Sequence, residues 1–430
     1  MTCEVALLNR RAVALAADSA TTVSYWEQGE QKQRYFKGTN KLFNLSSVHP
    51  IAIMTSDSGN LQGVPWEVVV KAYRDSIGPK PHDYVSGYAH DLFEYIQSNA
   101  HLYPSEFQEK QLLEDVTDVA ARLVALVALT SDVRTAVAAG DDKAAVAAAK
   151  TAFDGLSKRI AAAAFIGHAT ASTAKEISAK YKQKIGKQIR EREFIAKRAS
   201  LVPLDALIRL APTALLKRDF STLETTGLAI SGFGDKEYFP YLRQYTTYGM
   251  VLGKLLFEEG DETKIDQENT AQIVPIARSS MIKTFMYGAP PSMLTDIETE
   301  ASHMIETIQA NLISAGMLDP NANIDQIKAD GMEHFNDSLV DRLLDSHSRP
   351  LRRVIGLLPV NELAELAEIL VSIESLKERV TSTTETVGGP IDVAVISKSD
   401  GFIWVKRKHY FEPKLNPRYF AKIGANHHVK

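Results

Sequence analysis

The 430-residue chain has one cysteine, Cys3. A single thiol makes no internal disulfide and rules out the cysteine-rich zinc sites, so a reducing compartment is expected. The sequence lacks any run of about 18 apolar residues, the length a membrane-spanning helix needs. Residues 1–20 also lack the charged start and apolar middle of a signal peptide. A cytoplasmic protein, with no membrane partner, is the expectation. Net charge is sparse: 49 basic residues stand against 53 acidic ones, for a balance of -4. No general field for nucleic acid follows from that balance. There is no internal repeat, and no low-complexity tract beyond an alanine bias.

What the chain does have is a chemically suggestive start. Residues 3–8 and 12–17 are short apolar runs around Asn9-Arg10-Arg11, the pattern of a β-hairpin. A turn centred on Arg10 makes opposed residues sum to twenty, so that Thr2 faces Asp18 with Cβ atoms about 5 Å apart. Cys3, Val5, Leu7, Val13, Leu15 and Ala17 then form an apolar face. Thr2, Glu4, Ala6, Ala12, Ala14, Ala16 and Asp18 form a face of small and polar groups. A third strand-like run, "NKLFNL" at 40–45, opens with Lys41 beside its first apolar residue.

Threonine, lysine and aspartate suit one another. Methionine is readily removed before a small residue, which would leave Thr2 as the N-terminus. Its hydroxyl is a weak nucleophile, but the free α-amine beside it has a pKa near 8 and can accept a proton. A neighbouring ammonium lowers the pKa of both groups, and a carboxylate paired with that ammonium keeps it charged and in place. Thr2 would attack, its amine would relay protons, and Lys41 and Asp18 would tune the pair.

These residues resemble the proteasome-type N-terminal nucleophile hydrolases, with "LAADSATT" at 15–22 as the returning strand and Lys41 in "NKLF". "IAIMTSDSGNLQG" at 51–63 resembles the next family element, and its "SGNL" is similar to that of the bacterial Anbu-type members. Segments 227–255, 271–288 and the closing "VGGPIDVAVISKSDGFIWVKRK" follow in the family's order. The resemblance implies an α+β fold, a four-layer αββα sandwich of two antiparallel sheets, built from 1–78, 223–289 and 351–430. It leaves 79–222 and about 290–350 as helical insertions. The Ala-rich stretch at 141–165 and the periodic stretch after it read as helices. Pro79 and Pro81 bound the first insertion, and Pro203 and Pro212 punctuate its end. The insertions read as padding, a subunit contact, or a lid over a chamber mouth.

The resemblance further implies a threonine peptidase acting on peptides or unfolded polypeptides inside a homo-oligomeric ring. An ATP-driven unfoldase is an implied partner, and no cofactor or metal is implied. The family's Gly-Ser-Gly turn reads "ARSS" here, so Ser279 or Ser280 takes the serine's place. Its C-terminal aspartate and serine correspond to Thr384 or Glu385 and to Val387, before Gly388-Gly389. A backbone N–H near Ile53 is implied as the oxyanion donor. Two other functions fit the same residues: an amidohydrolase acting on a small molecule, and a non-catalytic scaffold. Cys3 as nucleophile would be out of register with Asp18. "YGMVLGKLL" lacks the spacing of a phosphate loop, and "GFGD" reads as a turn. His347 and the His427-His428 pair lack partners at metal spacing, and Trp66 and Trp404 read as core.

Overall fold

The computed structural model describes residues 2–27, 30–381 and 387–426, without the side chains of 24–27, 30–31 and 422–426. Its strands in chain order are β1 (Cys3–Asn9), β2 (Ala12–Ala17), β3 (Thr21–Glu27), β4 (Glu30–Phe36), β5 (Leu42–Asn44), β6 (Ile51–Asp57), β7 (Asn60–Leu61), β8 (Val64–Pro65), β9 (Thr226–Gly232), β10 (Tyr241–Val251), β11 (Lys254–Lys264), β12 (Ala271–Ala277), β13 (Asp392–Ser397) and β14 (Gly401–Lys406). The helices are α1 (Trp66–Ser76), α2 (Val85–Ser98), α3 (Ser105–Ala128), α4 (Ser131–Ala138), α5 (Asp142–Ala162), α6 (Ala171–Glu191), α7 (Glu193–Ala196), α8 (Leu204–Leu215), α9 (Ser280–Tyr287), α10 (Pro291–Ser314), α11 (Asp325–Leu343), α12 (Arg349–Leu357), α13 (Val360–Thr381) and α14 (Pro417–Asn426).

This is a mixed fold with antiparallel sheets. One five-stranded sheet runs β12-β1-β2-β13-β14 and the other runs β11-β10-β9-β6-β5. Ala6, Leu8, Val13, Leu15 and Ala17 of the first share a core with Leu42, Ala52, Met54 and Ala229 of the second. On its other face the first sheet packs Cys3, Val5, Leu7, Ala12, Ala14 and Ala16 against Ile282 of α9, Ile355 of α12 and a stripe of α13. That stripe, Leu363, Ala364, Ala367, Leu370 and Val371, has the spacing of one helix face. The second sheet packs Ile53 and Ile230 against Trp66, Val69 and Val70 of α1 and Tyr88, Leu92 and Phe93 of α2.

The central hairpin therefore has both faces buried, as its near-continuous apolar sequence requires. Its register differs from the expected one. Glu4 pairs with Ala17, Val5 with Ala16 and Leu8 with Val13, so opposed residues sum to 21. The turn is the two residues Arg10 and Arg11, not three. Asn9 fixes it: its Oδ1 accepts from Arg11 N (2.9 Å) and Ala12 N (3.2 Å). Its Nδ2 donates to the carbonyls of Ile355 (3.1 Å) and Leu358 (3.2 Å) at the end of α12. A one-residue slip reassigns one strand's faces. Val13, Leu15 and Ala17 accordingly lie with Ala6 and Leu8, while Ala12, Ala14 and Ala16 lie with Cys3, Val5 and Leu7.

Helices α3 to α6 and α8 enclose a separate core that includes Leu123, Phe153, Ile177 and Leu215, and it meets the β10–β11 hairpin at Tyr248, Val251 and Leu256. Helix α2, although within 79–222, packs with the sheet instead. Pro203 is the N-cap of α8, and Pro212 lies within that helix. Helices α10 and α11 are open by contrast: Ala301 is the one buried residue described in α10, and α11 has none. Among the described residues, no helix is long and apolar enough to cross a membrane.

Candidate active site

Thr2 and Glu4 precede and enter β1, two residues apart and hence on one side of the strand. They occupy the side that faces the second sheet, where β5 begins and β6 ends. Thr2 is 4% exposed and Glu4 0%. The Thr2 hydroxyl donates to Glu4 Oε1 at 2.8 Å, and the Thr2 carbonyl accepts from Arg278 N at 2.9 Å, just past β12.

Asp18 sits where β2 leaves the sheet. The observed register places it opposite Cys3, not Thr2: Asp18 N donates to Cys3 O at 3.1 Å, and Asp18 Oδ1 accepts from Cys3 N at 3.1 Å. The same Oδ1 accepts from Lys41 Nζ at 2.7 Å, with the two side chains 0% and 3% exposed. Asp18 Oδ2 accepts from Gly388 N at 2.8 Å and from Ala20 N at 3.3 Å. Gly388 has φ 145°, a region essentially restricted to glycine, so the C-terminal Gly-Gly has a specific conformational purpose here. Three backbone N–H groups and one ammonium thus satisfy a fully buried carboxylate, the condition under which such a charge is tolerated.

Lys41 is placed by the edge of the second sheet. Its carbonyl accepts from Thr55 N at 2.9 Å, which aligns the chain before β5 with β6. Ladder alternation then gives the direction of the next donor. Ser58 N donates to Thr225 O on the β9 side, so Asp57 N–H turns to the same edge as Thr55 N–H, beyond the end of β5. Asp57 adopts φ 63°. Ile53, by contrast, lies mid-strand between Phe43 and Ile230 with its side chain in the outer core. The expected oxyanion donor near Ile53 is therefore corrected. The backbone there is consumed by the sheet, and the N–H that faces the same edge beyond the end of β5 is four residues on, at Asp57.

Asp18 and Lys41 are brought together, and Thr2 is linked to them through the Cys3 N–H and through Glu4. The two serines are not held on Thr2. Ser280 Oγ donates to Glu374 Oε1 of α13 at 3.0 Å and accepts from Lys377, while Glu374 Oε2 accepts from Met281 N at 2.6 Å. This carboxylate satisfies the open start of α9. Ser279 precedes α9 and its side chain makes no capping hydrogen bond. Arg278, between β12 and α9, pairs with Glu378 of α13. Thr384 and Glu385 lie outside the described residues. Val387 is 2% exposed in the core with Cys3 and Val393, and has no hydroxyl to offer. Among the described residues, no cluster of metal-ligating side chains occurs.

Glu4 is the site residue that sequence reasoning passed over. It carries a buried carboxyl, and its Oε2 has no hydrogen-bond partner among the described residues. Burial raises its pKa to about 8, opposed by the Lys41 ammonium and the Thr2 hydroxyl and assisted by Asp18 and Asp57. Its i, i+2 relation to Thr2 was the available signal. Cys3 points the other way, into the α13 core, and burial raises its thiol well above the usual range, which disfavours the thiolate. No protein-family model matches the chain, and no curated protein sequence matches it.

Proposed function

We propose that this chain is a threonine hydrolase of the proteasome-type N-terminal nucleophile class, cytoplasmic, with a four-layer αββα sandwich as its core and Thr2 as the attacking residue once Met1 is removed. The observation that carries the reading is the sealed Lys41–Asp18 pair, 2.7 Å apart, bonded to the backbone N–H of Cys3, the residue joined to Thr2. A lysine fixed in that way supplies a positive potential beside the Thr2 alcohol and amine, which favours their deprotonated forms. The Thr2 oxygen attacks an amide carbonyl, the α-amine relays the proton, and the Asp57 N–H stabilises the oxyanion. The substrates are peptides or unfolded polypeptides, handled in a homo-oligomeric ring whose feeding depends on a separate ATP-driven unfoldase.

The test is N-terminal mass analysis combined with a peptide epoxyketone, which needs a hydroxyl and a free amine on one residue. A double adduct on Thr2, absent in Thr2→Ala, supports the reading. Retained Met1 together with no adduct overturns it. Sizing by light scattering separates a ring from a monomer.

A further inference from the structure

Glu4 has no place in the chemistry just described, yet it touches the reacting oxygen. The Thr2 hydroxyl points at Glu4 Oε1, 2.8 Å away, and not at Lys41 or Asp18. The carboxyl is fully buried and its second oxygen lacks a partner among the described residues. Charged groups reach it from Lys41 before β5, Asp18 after β2 and Asp57 at the end of β6. Its ladder neighbours Ala17 and Ile276 bring none. A carboxyl buried here, with one oxygen on the Thr2 hydroxyl and the other unpartnered among the described residues, is a group able to take up and release a proton beside the reacting oxygen.

We propose that Glu4 is a catalytic residue of this chain and, in place of the α-amine, the proton acceptor of the reaction: it takes the hydroxyl proton as Thr2 attacks and returns it to the leaving nitrogen. The inference rests on Thr2 being the nucleophile. As the Thr2 Oγ1–carbon bond forms, the Oγ1–H bond breaks and its proton passes to Glu4 Oε1. The carboxyl then protonates the amide nitrogen, the C–N bond breaks, and an ester remains on Thr2. In the second half, water attacks that ester, gives its proton to the same carboxylate, and the Thr2 alkoxide is re-protonated from it. No oxidant, metal or cofactor enters the balance. Burial places the Glu4 titration near pH 8, the range in which a base can be both ionised and basic enough to work. The α-amine titrates in the same range, so a pH profile alone does not separate the two acceptors. The Glu4→Gln variant does, because it keeps the shape and the accepted hydrogen bond but cannot carry the proton.

The experiment follows acylation of Thr2 by a peptide β-lactone, which requires the hydroxyl but no free amine, using intact-mass readout across pH. Wild type should acylate faster as pH rises through about 8. Glu4→Gln should be slower by about 100-fold or more and lose that rising limb. A Glu4→Gln rate within a few-fold of wild type, with the limb retained, overturns the assignment and leaves the amine as base. Absence of any Thr2 adduct in wild type overturns the nucleophile reading, and this one with it. If Glu4→Gln does not fold, infrared titration of the Glu4 carboxyl in wild type and Thr2→Val decides. Loss of the hydroxyl should move its midpoint upward, and an unchanged midpoint overturns the pairing.

Discussion

The Lys41 ammonium lies 2.7 Å from Asp18 Oδ1, and neither side chain has meaningful contact with solvent. The two residues come from different sheets, Asp18 from the end of β2 and Lys41 from the approach to β5. The pair therefore pins the sheets together where the Thr2 hydroxyl sits. Replacing Lys41 by alanine leaves the Asp18 carboxylate buried with the N–H groups of Cys3, Ala20 and Gly388. Breaking one side of a buried pair costs about 3–5 kcal/mol, and these three donors put the expected loss at the low end. Lys41→Ala should remain folded in urea titrations while acylation of Thr2 is abolished. Appreciable remaining turnover would remove Lys41 from the chemistry.

Glu4 makes stability depend on pH. Its carboxyl rises from 4.5 to about 8 in the folded chain, so between those values the folded state holds a proton that the unfolded state has released. This contribution is complete below about pH 4.5 and is lost as pH climbs through about 8. Inside the window the slope is about 1.4 kcal/mol per pH unit. Glu4→Gln should flatten the decline in denaturation midpoint over that range. Parallel declines in the two proteins would mean that the Glu4 proton is not retained on folding.

Asn9 is predicted to matter more than its turn position suggests. Asn9→Ala removes two hydrogen bonds that shape the turn and two that satisfy carbonyls at the end of α12. With those carbonyls partly buried, a loss of about 2 kcal/mol is expected. Thermal unfolding measures it, and an unchanged midpoint would show that the register is held by packing alone.

Gly388→Ala should disturb the site from a distant point in the chain. At φ 145° a side chain is strained, with a cost of about 1–3 kcal/mol. Relaxing that strain withdraws the N–H from Asp18 Oδ2. Lowered acylation with a modest drop in melting temperature is the expected pair of effects. A wild-type acylation rate would mean that Asp18 needs only its other partners.

Much of this arrangement could be read from residue order. The hairpin, the strand after Lys41 and the helices of 141–191 follow from period and turn chemistry, whereas the strand-to-helix passage at 271–288 was expected only from the family resemblance. The hairpin register did not follow from period, because both of its faces are buried. Alanine at 12, 14 and 16 is as acceptable in a core as valine at 13 and leucine at 15, so alternation carried no signal. Glu4 was visible as a polar residue in step with Thr2, but its isolation from water depends on strands more than 35 residues later. Ser279 or Ser280 was expected at the nucleophile. The attachment of Ser280 to Glu374 and Lys377 depends on how α13 crosses the sheet, which local sequence does not encode.

Strand β1 presses aliphatic side chains onto α13 along one side and carries the Thr2 alcohol and Glu4 acid at its origin on the other. A shift of that ribbon by a fraction of a bond length moves the reactive oxygen by the same amount. Variants screened for lost turnover should therefore include apolar positions such as Val371, which is buried in the core between α13 and β1. Such lesions would silence the chemistry while the chain still melts as one cooperative body.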